Sequence, residues 1–430
     1  MSRTPKASLH LEVPARPLRS RVWVAYSGGL DSTVLLHRLA ATGTAGLRAV
    51  HVHHGLQIAA DDWLRQARRT CRSLAVPLTV RRVQIPADNA AGPEAAARAA
   101  RYEAMQALLK PGDLLATAHH REDQAETVLL RALRGSGIAG LAAMRDLQPF
   151  GAGQLWRPLL AMPRASLHRY AEAQGLQWID DPHNQDSRYA RSHLRASVWP
   201  LLLSHWPQAA ESLSRLAAHA RDAEMLLNEL AALDQATLGE SAALSVSQLL
   251  ALSAPRRRNL LRQLWGQRGW LAPSADLVQR LEREVLRARA DADPCLRFAD
   301  GEARRYRDGL YLMAPLPAPP ALELAWQRSR SLALPPGCGR LRAAKAPPQP
   351  LSIRFARGGE RLRPAGAAHH RSLKQLCQTH AVPVWVRVRM PLLYEGETLV
   401  SVAGLWNDAR LLSWGWRPRW ECDLPGLPTI

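Results

Sequence analysis

At 430 residues the chain is long enough for two or three domains, and its 47% hydrophobic content is that of a globular protein. It has no apolar run of roughly eighteen residues and no continuous apolar segment in its first twenty, so neither a membrane span nor a secretory signal is expected, and a cytoplasmic protein is. Fifty-seven Lys and Arg against 37 Asp and Glu give a net charge of +20, a balance that attracts polyanions such as nucleic acid. Only Lys6, Lys110, Lys345 and Lys374 are lysines. The rest of the cations are arginines, whose planar fork binds two phosphate oxygens at once. The five cysteines (Cys71, Cys295, Cys338, Cys377 and Cys422) are far apart and form no C-x-x-C pair, which argues against a disulfide framework or a zinc ribbon.

In chain order, apolar β-rich segments fall near Val22 to Tyr26, Leu47 to Val52, Leu78 to Val83 and Leu114 to Ala118. Helical patterns such as Asp61 to Ala75 and Pro93 to Leu109 lie between them. Strands about thirty residues apart with helices between predict βαβ units and a largely parallel sheet, with ligands at the carboxyl ends of the strands. After Pro207 the spacing of Leu213, Leu216, Ala220, Leu227 and Leu230 predicts a helix. Further helices are predicted over 247–265, interrupted at Pro255, and over 274–286 with Ser274 as N-cap. Asp300-Gly301 and Asp308-Gly309 then mark hairpin turns. Prolines at 315–320 and 347–350 bracket an ill-defined connection. From Leu351 a compact α+β pattern follows, with a basic run of Arg354, Arg357, Arg361, Arg363, Arg371 and Lys374 beside His369-His370. Such a run suits a phosphodiester backbone as well as a solvated face.

The expected fold class is α/β: a parallel-sheet nucleotide-binding domain, a helical middle domain and a small α+β C-terminal domain. The expected limits are 1–207 for the catalytic domain, 208–320 for the helical one, 321–350 for a Pro-rich linker and 351–430 for the basic one.

Three segments carry chemistry. "VWVAYSGGLDSTVLL" (22–36) reads as strand, glycine turn and helix, a junction that aims backbone N–H groups and a helix N-terminus at one spot. It has neither the lysine and spacing of a Walker A loop nor a G-x-G-x-x-G, and the same local pattern serves an ordinary capped turn. "TAHHREDQAETVLLRALRGSG" places His119, Asp123, Glu126 and Thr127 on one helical face, followed by Arg131 and Arg134. An aspartate beside triphosphate oxygens can hold Mg²⁺, and arginines can stabilise leaving pyrophosphate. "WIDDPHNQDSRYARSHLR" packs Asp180, Asp181, Asn184, Asp186, Arg188, Arg191 and Arg195 together, either as internal ion pairs or as a loop ordered by a substrate.

Ser27-Gly28-Gly29-Leu30-Asp31-Ser32 resembles the S-G-G-x-D-S loop of the PP-loop ATP pyrophosphatases. "HVHHGL" (51–56), "TAHHREDQAET" (117–127), "RGSGIAGLAAM" (134–144), "RPLL" (157–160), the D-x-x-N-x-D cluster and the C-terminal "RFARGGERLRPAG" are similar to the tRNA(Ile)-lysidine synthase branch. The resemblance spans both ends of the chain. It implies ATP-dependent adenylation of O2 of the wobble cytidine of a minor isoleucine tRNA, release of pyrophosphate, and attack of the ε-amine of free lysine on C2 with loss of AMP. Lysidine results, and decoding and charging change from methionine to isoleucine.

By carry-over, Ser27, Gly28, Gly29, Leu30, Asp31 and Ser32 bind phosphates, and His51, Val52 and His53 line the adenosine. Asp31 and Asp123 are the candidates for Mg²⁺. Asp123, Glu126 and Arg131 join Asp31 as catalytic candidates, with either Glu126 or Asp123 taking the amine proton. Arg101, Arg131, Arg134, Arg191 and Arg195, together with Arg361 and Arg371 in the basic run, are the candidates for phosphate or tRNA contacts. His183 and Ser192 stand where the family more often has Ser and Asn. The alternative within the superfamily is a tRNA-thiolating enzyme, which needs cysteines at the site. A nucleic-acid-binding protein with a vestigial nucleotide fold is the rival from another class. Oligomeric state, a homodimer included, is left open.

Overall fold

The computed structural model describes residues 20–53, 60–84, 93–179, 190–239, 243–289 and 292–426. Two compact units are present, residues 1–226 and 227–430. The first is built on six strands: β1 (Val22–Ala25), β2 (Leu47–His53), β3 (Leu78–Arg82), β4 (Leu114–Ala116), β5 (Leu147–Phe150) and β6 (Gly153–Trp156). Their order is β3-β2-β1-β4-β6-β5, and every pairing is parallel except that of β5 with β6. Helices α1 (Leu30–Ala41), α2 (Ala60–Ser73), α3 (Pro93–Gln106) and α4 (Arg121–Leu133) follow β1 to β4 in turn.

Central β1 is covered on both faces. Val22 and Val24 join Leu35, Leu39 and Leu167 on one side, and Trp23 joins Val50, Leu115 and Leu155 on the other. Burial on both faces is why this strand reads as an unbroken apolar run instead of an alternating one. The chain runs outward from β1 to β3, then crosses back to place β4 on the other side of β1. That reversal opens a crevice at the carboxyl ends of β1 and β4, the place where open α/β sheets take ligands.

The β5–β6 hairpin was not among the expected strands. It is only four residues a side, contains Pro149 and turns through Gly151, so it carries little strand signal. Gly153 is required there, because a Cβ would lie 2.5 Å from the Asp113 carbonyl oxygen. The unit continues through α5 (Ile138–Leu141), α6 (Arg164–Ala173), α7 (Ala190–His193), a π-helical turn at Leu194–Val198 and α8 (Trp199–His205). α9 (Ala209–Leu238) follows, and the division between the two units falls within it.

In the second unit the helix expected over 247–265 is two, α10 (Val246–Ala251) and α11 (Ala254–Gln267), with Pro255 in the first turn of α11. Ser274 caps α12 (Ala275–Arg280) by accepting the Leu277 N–H at 3.1 Å. Short β7 (Leu244–Ser245) pairs with β10 (Gly309–Met313). The strands β8 (Cys295–Phe298) and β9 (Gly301–Tyr306) form hairpins that turn at the two Asp-Gly pairs. The C-terminal region has a five-stranded and a three-stranded antiparallel sheet around a shared apolar core that includes Trp326, Trp385 and Trp416. Among the described residues no helix is long and apolar enough to cross a membrane.

Candidate active site

A cavity of about 780 Å³ opens in the first unit at the carboxyl ends of β1, β2 and β4. Its floor is the turn after β1. Gly28 has φ of +92°, a conformation that side chains disfavour, and a Cβ there would meet Ile179 Cδ1 at 2.8 Å. The Ile179 N–H donates to the Gly28 carbonyl at 2.9 Å, which clasps the turn to the segment after α6. Gly29 is the N-cap of α1 with extended backbone, and its side-chain-free edge leaves the first N–H groups of α1 open to the cavity. Ser32 Oγ donates to the Gly29 carbonyl at 3.0 Å and lies 3.0 Å from Ser27 Oγ, so both hydroxyls are held at the rim.

Asp31 sits in the first turn of α1, where the helix dipole favours an anion. Its Oδ1 is buried and has no hydrogen-bond partner. The nearest basic groups are His120 Nε2 at 3.8 Å from Oδ2 and Arg164 Nε at 3.7 Å from Oδ1. Burial lifts the Asp31 carboxyl above its ordinary value, although His120 and Arg164 pull the other way.

The opposite wall begins at the start of α4. Asp123 and the His120 backbone form a capping box, with the His120 N–H donating to Asp123 Oδ2 at 3.1 Å. The His120 ring donates from Nδ1 to Glu122 at 2.9 Å and points Nε2 at Asp123 Oδ2, 3.3 Å away. Burial opposes a charge on this ring, but Glu122, Asp123 and Asp31 outweigh it and raise its pKa. His119, by contrast, is pushed down to about 3 by burial and is neutral, hydrogen-bonded to Thr117 at 2.9 Å.

One turn on, Glu126 is almost wholly buried, and two arginines from α7 and the π-helical turn close on the acid pair. Arg191 Nε donates to Glu126 Oε2 at 2.8 Å, and its Nη2 donates to Asp123 Oδ1 at 3.2 Å. Arg195 Nε donates to Glu126 Oε1 at 2.6 Å, and its Nη2 to the same Asp123 oxygen at 2.6 Å. Burial would raise the Asp123 carboxyl, but His120 and Arg191 hold it below its usual range.

The structure therefore brings together Ser27, Gly29, Leu30, Asp31, Ser32, His51, Val52, His53, Arg101, Asp123, Glu126, Arg191 and Arg195 around one cavity, with Gly28 in the turn beneath. His51 and His53 are both anchored. The His51 Nδ1–H donates to the Tyr26 carbonyl at 2.9 Å, and His53 Nε2 pairs with Asp61 at 3.2 Å. Arg131 departs from expectation. Its guanidinium turns away from the cavity and donates to the carbonyls of Gly140 at 2.8 Å and Ala143 at 3.2 Å, pinning the glycine-rich loop after α4. Arg134 is exposed at the end of α4 and is not in the cavity wall. Arg361 and Arg371 belong to the second unit, in paired two-residue strands, exposed and without an ion pair to a described acid. Asp180, Asp181, His183, Asn184, Asp186 and Arg188 lie outside the described residues.

The residue types quoted in the sequence motifs did not single out Arg98, Tyr102, Met105, Trp63, Arg164, Ile179 or Trp199, all of which line the cavity. A helical-face count on α3 would have grouped Arg98, Arg101, Tyr102 and Met105, since they recur at three- and four-residue spacing. No metal-ligating cluster of three or more His, Cys, Asp or Glu occurs among the described residues. Mg²⁺ does not need one, since it takes one or two carboxylates with substrate phosphates and water. Asp31 Oδ1, which has no hydrogen bond and only Arg164 Nε at 3.7 Å, fits that role, whereas both oxygens of Asp123 are already hydrogen-bonded.

Comparison with known proteins agrees with this geometry. Residues 6–202 match the family model described as a PP-loop domain, 244–311 that of the TilS substrate binding domain, and 351–424 that of the TilS substrate C-terminal domain. The parallel sheet, the S-G-G-L-D-S turn and the crevice beside it are those of a PP-loop ATP-using enzyme. A tRNA(Ile)-lysidine synthase of Xanthomonas campestris pv. campestris is 44% identical over 411 residues, covering 94% of both chains. One from Pseudomonas aeruginosa is 43% identical over 447 residues, covering 96% of this chain and all of that one. The chain belongs to the tRNA(Ile)-lysidine synthase family. Among solved structures, a U34-tRNA thiolase from Methanococcus maripaludis matches with a TM-score of 0.38 and 18% identity over 47% of this chain and 71% of that one, too distant to bear on function.

Proposed function

We propose that the chain ligates lysine to C2 of the wobble cytidine of a minor isoleucine tRNA, using ATP and passing through a cytidine adenylated at O2. The observation that carries this reading is the cavity itself. It holds a glycine turn at a helix N-terminus, with a buried carboxylate oxygen that has no hydrogen bond, on one wall and a buried acid pair on the other.

In this reading the backbone around Gly28 and Gly29, with the N-terminus of α1 and the hydroxyls of Ser27 and Ser32, receives the phosphates. His51, Val52 and His53 line the adenosine. Asp31 would hold Mg²⁺, which would draw charge off the phosphates when bound. Asp123, although also a candidate for the metal, is better suited to the amine, because its oxygens already face Arg191, Arg195 and His120. The cytosine O2 attacks the α-phosphorus and pyrophosphate leaves, with Arg101 and His120 in the cavity wall as the groups to offset its charge. The ε-amine of lysine, oriented at the Asp123–Glu126 pair, then attacks C2. Its proton passes to a carboxylate oxygen of that pair and AMP departs. Arg134, Arg361 and Arg371 are exposed cations suited to tRNA phosphates.

Thiolation is disfavoured on a specific observation: none of the five cysteines lines the cavity, and Cys71, the one on α2, is buried in the core with its thiol pushed up to about 11 by desolvation. The test uses α-labelled ATP with tRNA(Ile) transcript. Pyrophosphate should appear with ATP and tRNA, and AMP only when lysine is added. AMP formed with a persulfide donor and not with lysine would overturn the assignment.

A further inference from the structure

We propose that Glu122 is a positioning residue for the adenylation step: one of its oxygens fixes the His120 ring so that Nε2 faces the carboxylates of both cavity walls. This rests on the proposed ligation reading, in which Asp31 and Asp123 stand on those walls.

Glu122 lies in the first turn of α4. Its Oε2 accepts two hydrogen bonds, from the Arg164 N–H at 3.0 Å and from His120 Nδ1 at 2.9 Å. The first donor is the opening residue of α6, a helix end whose free N–H groups and dipole favour a carboxylate. That bond holds the Glu122 oxygen in place. The second bond leaves His120 Nε2 directed at Asp123 Oδ2, 3.3 Å away, and at Asp31 Oδ2, 3.8 Å away. An imidazole has two orientations of nearly the same shape, because a half-turn about Cβ–Cγ exchanges Nδ1 with Cδ2 and Nε2 with Cε1. In the turned ring a C–H would face the two acids. His120 is buried, so a protein group and not bulk water decides between the orientations, and only one of them puts a ring N–H against Glu122 Oε2. Asp31 Oδ1 has no hydrogen bond of its own, so this carboxylate takes its direction from neighbours such as His120.

Holding α4 against α6 is a separate task with its own bonds. The Arg121 N–H donates to the Met162 carbonyl at 3.0 Å, and the Arg121 guanidinium donates to the Ala161 carbonyl at 3.2 and 3.1 Å. These bonds tie the start of α4 to the turn before α6 without Glu122. Glu122 borders the cavity, yet both bonds at Oε2 go to protein groups, so its effect passes through His120.

The test follows tRNA-dependent pyrophosphate release by the full-length protein in a double-mutant cycle. Glu122→Ala should lower kcat about 10–100-fold, the usual loss when the partner behind a functional histidine is removed, with the KM for tRNA within threefold. Glu122→Gln can place a carbonyl oxygen where Oε2 lies and accept both bonds, so it should stay within about fivefold of wild type. In a His120→Ala background the Glu122→Ala change should cost no more than threefold, because the ring it positions is gone. Arg121→Ala, which weakens the junction and leaves Glu122 in place, should lower the melting temperature with kcat within threefold. If Glu122→Ala does not fold, Glu122→Met, similar in volume and without an acceptor, replaces it. A tenfold or larger loss in the His120→Ala background, a Gln variant as slow as the Ala variant, or an Ala variant as active as wild type would overturn the proposal. Lysine-dependent AMP release by wild type is scored separately. Its absence would overturn the ligation reading, while pyrophosphate release would still report on Glu122.

Discussion

Replacing Gly28 by alanine tests whether the turn after β1 is the phosphate cradle. Two costs follow from the geometry. At φ of +92° a Cβ is strained by about 1–3 kcal/mol. The added methyl would also meet Ile179 Cδ1 at 2.8 Å, and moving that flexible terminus off its rotamer costs about 0.5–1.5 kcal/mol. Together these come to about 2–4 kcal/mol. The Gly28 carbonyl is held by the Ile179 N–H at 2.9 Å and the Thr33 hydroxyl at 3.3 Å, two bonds a loop can adjust, so the turn relieves the strain by shifting instead of unfolding the sheet beneath. If about 2 kcal/mol is relieved in this way and must be restored when ATP binds, the KM for ATP rises roughly thirtyfold. The assay is tRNA-dependent pyrophosphate release over an ATP series, with a thermal melt of the same protein. A KM for ATP within threefold of wild type, with an unchanged melting temperature, would refute the cradle. A large fall in melting temperature with an unchanged KM would refute the claim that the turn yields locally.

Asp31→Asn should abolish adenylation while leaving tRNA affinity within twofold in a filter-binding assay; retained pyrophosphate release would remove Asp31 from the metal site. The same variant should melt higher than wild type at pH 7. The folded-state carboxyl has a raised pKa, so the native protein holds that proton more tightly, and the residue's contribution falls as pH climbs from the ordinary carboxylate range through the raised value. The difference should vanish below that range, and an Asn variant that is less stable at neutral pH would contradict the sign. Arg131→Met should lower the melting temperature, because two charge-assisted bonds to carbonyls are removed at about 1.5–3 kcal/mol each before relaxation, with the KM for ATP within threefold. A thousandfold loss of kcat at unchanged stability would instead make it catalytic. Arg361→Glu and Arg371→Glu should raise the KM for tRNA and flatten its logarithmic salt dependence by about 0.7–0.9 for each phosphate no longer neutralised. An unchanged slope would make that surface merely solvated.

The alternation of strand and helix over residues 22–133 was legible because buried parallel strands and amphipathic helices impose different periods on the sequence. The turn at Ser27 to Ser32 was legible for a related reason, since glycine at a strand-to-helix junction is a local backbone requirement. What could not be read was pairing across distance. Glu126 and Arg195 are 69 residues apart, and nothing in either segment states that they meet. Arg131 shows the converse failure: its place on α4 beside Glu126 suggested a cavity group, but the loop 134–143 folds back beneath it and offers carbonyls that a guanidinium satisfies. Trp63 and Trp199 escaped notice because an isolated aromatic looks the same in sequence whether it packs a core or walls a cavity.

The clasp between Gly28 and Ile179, and the arginine pair beyond it, bear on how the protein is made. The turn proposed to receive phosphate emerges early in translation, but its partners come from residues 179–199, about 150 to 170 positions later. At roughly 5–20 residues per second, a nascent chain carries the turn for about 10–35 seconds before the groups that complete it exist. In that interval the chain carries first the turn and then the acid pair of α4, without the Ile179 clasp and without the two arginines that close on Asp123 and Glu126.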